Sequence, residues 1–252
     1  MSGKTSNPID VPHLLLAFFL IGAIWQAASM ALNKPLLPAP YRVCQTWYTL
    51  MTTGVLWPHI ASSLYRMICG LALALVTAVP VGMAAGRSRR WDALLSPFLY
   101  IFYSIPKVVF LPVIIVVLGL GDFPKIFIIA ITVFFQIAIM GRDAAKAIPE
   151  EQVMTMRSLC GTKWQDFRHL IWPACLPGIL TALRTSLGIA LALLFITETF
   201  AAFSGLGYFI MNRMEVRNYE EMYAAILTLA AIGIIAYMAL DIAERKLCPW
   251  KK

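Results

Sequence analysis

Six long apolar runs, near residues 13–32, 60–86, 92–119, 124–141, 178–202 and 223–243, constrain this chain more than any other feature. About 20 consecutive apolar residues in a helix span the hydrocarbon core of a bilayer. Inside that core each backbone polar group must be paired within the protein, so the runs predict helices. The expected fold is therefore all-α and polytopic, with six transmembrane helices. Composition agrees: 60% of the 252 residues are hydrophobic and only 13% charged, about half the charge of an ordinary soluble domain.

The net charge of +8 does not point to nucleic acid. Its basic residues lie mostly between and beyond the apolar runs, as in loops flanking a bilayer. No soluble segment carries a basic stripe interleaved with aromatics. Cys44, Cys69, Cys160, Cys175 and Cys248 form no C-x-x-C pair, and His13, His59 and His169 lack ligand spacing. Neither a disulfide framework nor a metal site is expected. Gly3-Lys4-Thr5 lacks the upstream glycine of a phosphate loop. The first run is too long for a secretory core and is expected to be retained.

Orientation follows from lysine and arginine in the short loops. With the N-terminus inside, Arg87, Arg89, Arg90, Arg142, Lys146, Arg157, Lys163 and Arg168 all face the cytoplasm, as do Arg245, Lys246, Lys251 and Lys252. Lys34, Arg42, Lys125, Arg213 and Arg217 face the other side. Both termini are then cytoplasmic. Arg66 and Lys107 fall in or near the outer ends of spans, where long stems can snorkel. The expected organisation is a tail and first span over 1–35, an external connection over 36–59 and a core over 60–245. Residues 246–252 form a cytoplasmic tail.

Three details stand out. Pro106 and Pro112 predict a broken third span, either a packing kink or irregular backbone lining a wet cavity. Ser186, Gly188, Ala190 and Ala192 suggest close helix approach along the fifth span. Glu198 is costly near the end of an apolar span, so it is expected either to pair with a basic residue, to lie at an interface or to act in a pathway.

The loop over 142–177 is unusually charged. Pro149-Glu150-Glu151 suits a helix start, and Gly161 suits its left-handed end. Thr162 and Gln165 form a capping-box pattern for a second helix, which Pro173 is expected to stop. Two short amphipathic helices could rest on a membrane surface or dock in a groove of a cytoplasmic partner.

The loop resembles the "EAA" loop of binding-protein-dependent ABC importer permeases. That family's Ile-x-Leu-Pro falls on Leu170-Ile171-Trp172-Pro173. Its glycine falls on Cys160, followed here by Gly161, and its Glu-Ala-Ala on Met154-Thr155-Met156. The rest of the chain is similar to the nitrate, taurine and alkanesulfonate branch. Leu37-Pro38-Ala39-Pro40 follows the first span. His59, Ser63, Leu64, Arg66 and Gly70 open the second. Ile105-Pro106-Lys107, Leu111-Pro112 and Gly119-Leu120-Gly121 mark the third, and Glu198 with Ser204-Gly205-Leu206-Gly207-Tyr208 closes the fifth.

The resemblance implies a type I importer permease fold in the bacterial inner membrane. It implies two ABC ATPase subunits, a second and identical permease subunit, a periplasmic or lipid-anchored binding protein, and membrane lipid around the spans. ATP and Mg would sit on the ATPase, so no cofactor is expected in this chain. Met154, Met156, Arg157, Leu159, Cys160 and Gly161 become the expected ATPase-coupling residues, with Pro106, Pro112 and Glu198 as pathway or structural candidates. Two rivals are weighed. An ion-driven secondary transporter would show paired intramembrane charges or repeated spans, and neither is evident. An intramembrane hydrolase would need a nucleophile with a histidine partner, which the later spans lack.

Overall fold

The computed structural model describes residues 11–32, 34–159 and 162–251. Among them every regular element is helical. Four helices are long and apolar enough to cross a membrane: α3 (Trp57–Arg87), α6 (Phe123–Lys146), the continuous helix Lys163–Thr199, and α11 (Tyr219–Leu247). They coincide with the expected second, fourth, fifth and sixth spans. The third is the pair Arg89–Ser104 and Lys107–Leu118, bent by 77°. The expected first span falls on α1 (Val11–Leu32), where only the shorter Phe19–Leu32 forms an apolar helix, so among the described residues four spans, or five with the bent pair, stand against the six expected.

The chain divides into two compact units. The first holds the chain up to Trp57 together with Phe209–Leu227, including α1 and α2 (Pro40–Thr52). The prolines of its α1–α2 connection cannot continue a helix, and its carbonyls need donors. Trp25 Nε1 supplies one to Pro38 O at 3.1 Å, and Ser29 Oγ another to Leu37 O at 2.9 Å. Pro40 then starts α2 in the first turn, where a missing N–H costs nothing.

The second unit holds Pro58–Tyr208 and the chain from Thr228 onward. Its centre is α6, with Ile128, Ile129, Val133 and Ile137 fully buried. In lipid the neighbouring helices gain no hydrophobic drive from water, so association rests on close packing, which small residues permit. A Cβ at Gly82 or Gly86 of α3 would run into the Ala138 or Arg142 carbonyl of α6. On α9 (Trp172–Thr199), a Cβ at Gly178 would lie 2.8 Å from the Ala144 methyl. Of the residues expected to allow close approach, Ser186 and Ala190 are fully buried, whereas a Cβ at Gly188 would meet nothing within 4 Å.

The bend in the third span has a local cause. The helix α4 (Arg89–Ser104) ends where Ile105 and Pro106 turn to extended backbone, as the residue before a proline prefers. A 3-10 turn over Lys107–Phe110 follows, and α5 (Leu111–Leu118) takes Pro112 into its first turn. Pro106 thus marks the break, whereas Pro112 starts a helix.

Pro173 does not end its helix. The short α8 (Lys163–Asp166) passes through a π-helical turn, Phe167–Ile171, directly into α9. Trp172 N–H reaches back to Phe167 O in this wider turn. Pro173 then falls in the first turn of the next α-helical stretch, where its missing donor is tolerated.

Candidate functional site

Arg66 is the centre of a buried polar network at one end of the second unit. It is 3% exposed, so it does not snorkel as expected from its place near a span end. Its Nη1 donates to Glu198 Oε1 at 2.7 Å and to Ser204 O at 2.8 Å. Its Nη2 donates to Ser204 Oγ at 2.9 Å, and its Nε to Asp122 Oδ1 at 2.7 Å. The planar guanidinium thus ties α3 to the turn before α6, to the end of α9 and to the loop after α9.

Glu198 is fully buried yet well supplied with donors. Besides Arg66 it receives the Ser63 hydroxyl at 2.8 and 2.9 Å and the Gly207 N–H at 2.8 Å. Ser63 Oγ in turn accepts from Leu206 N at 2.8 Å. Those two amides open α10 (Leu206–Glu215), where free N–H groups and the positive dipole end favour a carboxylate. Gly205 precedes them at φ +111, and a Cβ there would overlap the Glu198 carboxylate and the Arg66 guanidinium. Its amide donates to His59 Nδ1 at 3.2 Å.

Lys125 completes the group at 2% exposure, donating to Gly121 O at 2.6 Å and Ala201 O at 3.5 Å. Two cations and two carboxylates therefore meet here. Asp122 and Glu198, far apart in sequence, are brought to one arginine by different helices. Glu198 takes the pairing alternative. His59, Ser63, Arg66, Glu198, Ser204 and Gly205, separate motif fragments along the sequence, form one physical object.

Two more ion clusters leave only a faint trace in the sequence. Arg184, inside the fifth span, pairs with Asp241 at 3.0 Å and also with Glu244. The signal is an arginine in one apolar run and two acids three residues apart in another. Arg142 pairs with Asp92, and Lys146 reaches the same carboxylate at 2.9 Å, joining α4 to the end of α6. Paired charges within the spans do exist, so their supposed absence no longer argues against a secondary transporter.

The charged hairpin follows the expected design at its first helix start and at its cap, although its second helix runs on into α9. The helix α7 (Glu150–Ser158) starts directly after Pro149 with two acids in its first turn. Thr162 and Gln165 form the reciprocal capping box, with Thr162 N to Gln165 Oε1 at 2.8 Å. Val153 and Phe167 pack against the core cluster, and Phe167 also lies between the Trp164 and Trp172 rings, at 5.7 and 6.2 Å. Met154 and Leu159 point outward, 57% and 73% exposed, while Met156 is half-buried. Cys160 and Gly161 lie outside the described residues, as does the side chain of Arg157. The hairpin is thus anchored on one side, and its exposed side carries Met154, Leu159 and Trp164 among polar and charged residues.

Relatives identify the architecture. Residues 78–249 match the family described as binding-protein-dependent transport system inner membrane component. The taurine transport system permease protein TauC of Escherichia coli (strain K12) is 30% identical, over 92% of this chain and 86% of that protein. The putative aliphatic sulfonates transport permease protein SsuC of the same organism is 31% identical, over 91% and 88%. The formylaminopyrimidine transport permease protein ThiX of Halalkalibacterium halodurans is 26% identical, over 94% and 95%. Among solved structures, a chain of the inward-facing MetNI methionine ABC transporter superposes with a TM-score of 0.63 at 22% identity, over 79% of this chain and 98% of that one. With spans, hairpin and match all in register, this chain belongs to the inner-membrane permease family of binding-protein-dependent ABC importers.

Proposed function

We propose that this permease carries a small organic anion of the sulfonate class inward across the bacterial cytoplasmic membrane. Two copies of the chain would form the pathway. A periplasmic or lipid-anchored binding protein would deliver the cargo, and two cytoplasmic ATPase subunits would hold ATP and Mg and supply the work. The chain itself performs no chemistry. Taurine and sulfonate permeases among its relatives support the cargo class.

The observation that carries the coupling role is the two-sided hairpin. Val153 and Phe167 fix it to the core, while Met154, Leu159 and Trp164 present apolar surface outward. Such a surface suits a groove on another protein, and methionine adapts to an irregular one. A hairpin fixed to the spans transmits displacement to them. Nucleotide-driven closure of the ATPases would then bias the spans between two states, as a ligand biases any two-state element. The distribution of lysine and arginine supports a cytoplasmic position for the hairpin.

Within the first unit, a cavity of about 770 Å³ is lined by Lys34, Arg42, Arg217 and Glu220. Open and basic, it suits the docking of the binding protein. Arg213 contributes less there, since it pairs with Glu221 at 2.9 Å.

The test is Met154→Asp with Leu159→Asp in the assembled importer. Loss of ATPase co-purification and of taurine uptake, with normal membrane insertion, is the expected result. Full co-purification and uptake would refute the coupling role.

A further inference from the structure

Lys107 sits at the break of the third span and is only 8% exposed. Its ammonium makes one hydrogen bond, to Tyr103 O at 3.1 Å. The Phe135 ring faces it at 4.7 Å and the Tyr103 ring at 5.9 Å. No carboxylate pairs with it among the described residues. Among the described residues, Arg66, Arg142 and Arg184 have acids, and Lys125, which also bonds only to carbonyls, feels the nearby charges of Asp122 and Glu198. A cation held at membrane depth without a counter-charge is costly and marks function.

The backbone beside it is equally telling. Ile105 and Pro106 are extended, and the Ile105 carbonyl accepts no hydrogen bond among the described residues. Ser104 and Pro106 are exposed on the single chain. Lipid cannot satisfy such a carbonyl, so irregular backbone at this depth faces protein or a wet cavity. Next to Phe135 on α6, Gln136 donates to Thr185 of α9 at 3.1 Å, also in an exposed position. That bond places polar groups between α6 and α9 as well.

We infer that the break at Ile105–Pro106 opens onto the translocation route, and that Lys107 supplies a membrane-embedded site for the anionic head group of the cargo. The inference rests on the permease reading above and gives it a charge-selective element. The aromatic rings hold the ammonium while the site is empty, since a cation over a ring face is attracted by its quadrupole. An arriving sulfonate or carboxylate offers a full charge in a low-dielectric setting.

Two measurements test this in the full importer with its native cysteines replaced. In the first, Ser104→Cys is reacted with the anionic sulfonatoethyl and the cationic trimethylammonioethyl methanethiosulfonates, each rate normalised to that of free 2-mercaptoethanol. The thiolate takes the reagent's sulfenyl group and methanesulfinate leaves. The anionic reagent is expected to be favoured at least fivefold, and Lys107→Met should remove that preference. A preference unchanged by Lys107→Met, or a thiol unreactive to both reagents, would overturn the inference. In the second, Lys107→Met should reduce taurine uptake at least tenfold while ATPase assembly and ATP hydrolysis stimulated by the binding protein persist; Lys107→Arg should retain half or more. Unchanged uptake in Lys107→Met, or equal loss in both variants, would also overturn it. A wild-type importer that hydrolyses ATP, carries neither taurine nor ethanesulfonate, yet keeps the charge preference would refute the sulfonate cargo and leave the anion site in place.

Discussion

Arg66 and Glu198, 132 positions apart, meet at 2.7 Å with almost no solvent contact. The pair joins the second span to the end of the fifth. A buried pair of this kind is a weak source of net stability, but removing one partner leaves an uncompensated charge, at a cost of about 3–5 kcal/mol. Arg66→Met should therefore lower thermal stability in detergent strongly, and more than the double variant Arg66→Met with Glu198→Gln. A loss in the double variant equal to the sum of the losses in Arg66→Met and Glu198→Gln would show that the two side chains are not coupled. Arg66→Lys should restore little, because one ammonium cannot serve Glu198, Ser204 and Asp122 with the geometry of a guanidinium.

Gly205 gives an independent check on the same network. Its φ of +111 and the overlap of an added Cβ with both charged partners make Gly205→Ala unfavourable for two separate reasons. Backbone strain alone is worth on the order of 1–3 kcal/mol. A clear fall in melting temperature is expected, together with weakened uptake; a variant as stable as the parent would mean that the turn before α10 is not built as described.

The seam between α3 and α6 predicts a graded series. Gly82→Ala places a methyl against the Ala138 carbonyl, and backbone cannot yield as a flexible side chain can. Gly188→Ala, with open space around its Cβ, replaces a poor helix former at a gain of up to about 1 kcal/mol. Thermal unfolding should rank Gly188→Ala at or above wild type and Gly82→Ala well below it. The reverse order would contradict the packing.

The intraspan triad of Arg184, Asp241 and Glu244 tests whether α9 and α11 stay attached. Arg184→Ala takes one cation from Glu244 and from Asp241, which keeps Arg245 at 2.9 Å, near the end of α11. Expression in the membrane should fall, and Arg184→Ala combined with Asp241→Asn and Glu244→Gln should recover part of it. No recovery would place the role of Arg184 elsewhere.

Much of this is legible in the sequence, and the limits have physical causes. The spans, the Pro106 break and the Thr162–Gln165 cap are local, set by hydropathy and neighbouring residues. The polar network is not local. Glu198, Asp122 and Arg66 look isolated along the chain because their partners arrive from different helices, and no periodic pattern records that. Arg184 escapes notice because one charge hardly disturbs an apolar run, although Asp241 and Glu244 on the last span offer matching acids. Pro173 misleads because proline normally ends a helix, whereas a π turn directly before it lets the helix pass. In the hairpin, Met154 and Leu159 emerge on the free side, while Met156 is half-covered.

The central claim is that the exposed Met154, Leu159 and Trp164 of this hairpin are held by the ATPase. The most direct measurement places a photo-crosslinking amino acid at Leu159 in the importer as assembled in the inner membrane. The account predicts an adduct with the ATP-binding subunit whose yield changes when nucleotide is trapped. An adduct-free ATPase, with position 159 labelled instead by an impermeant reagent added outside the cell, would contradict it.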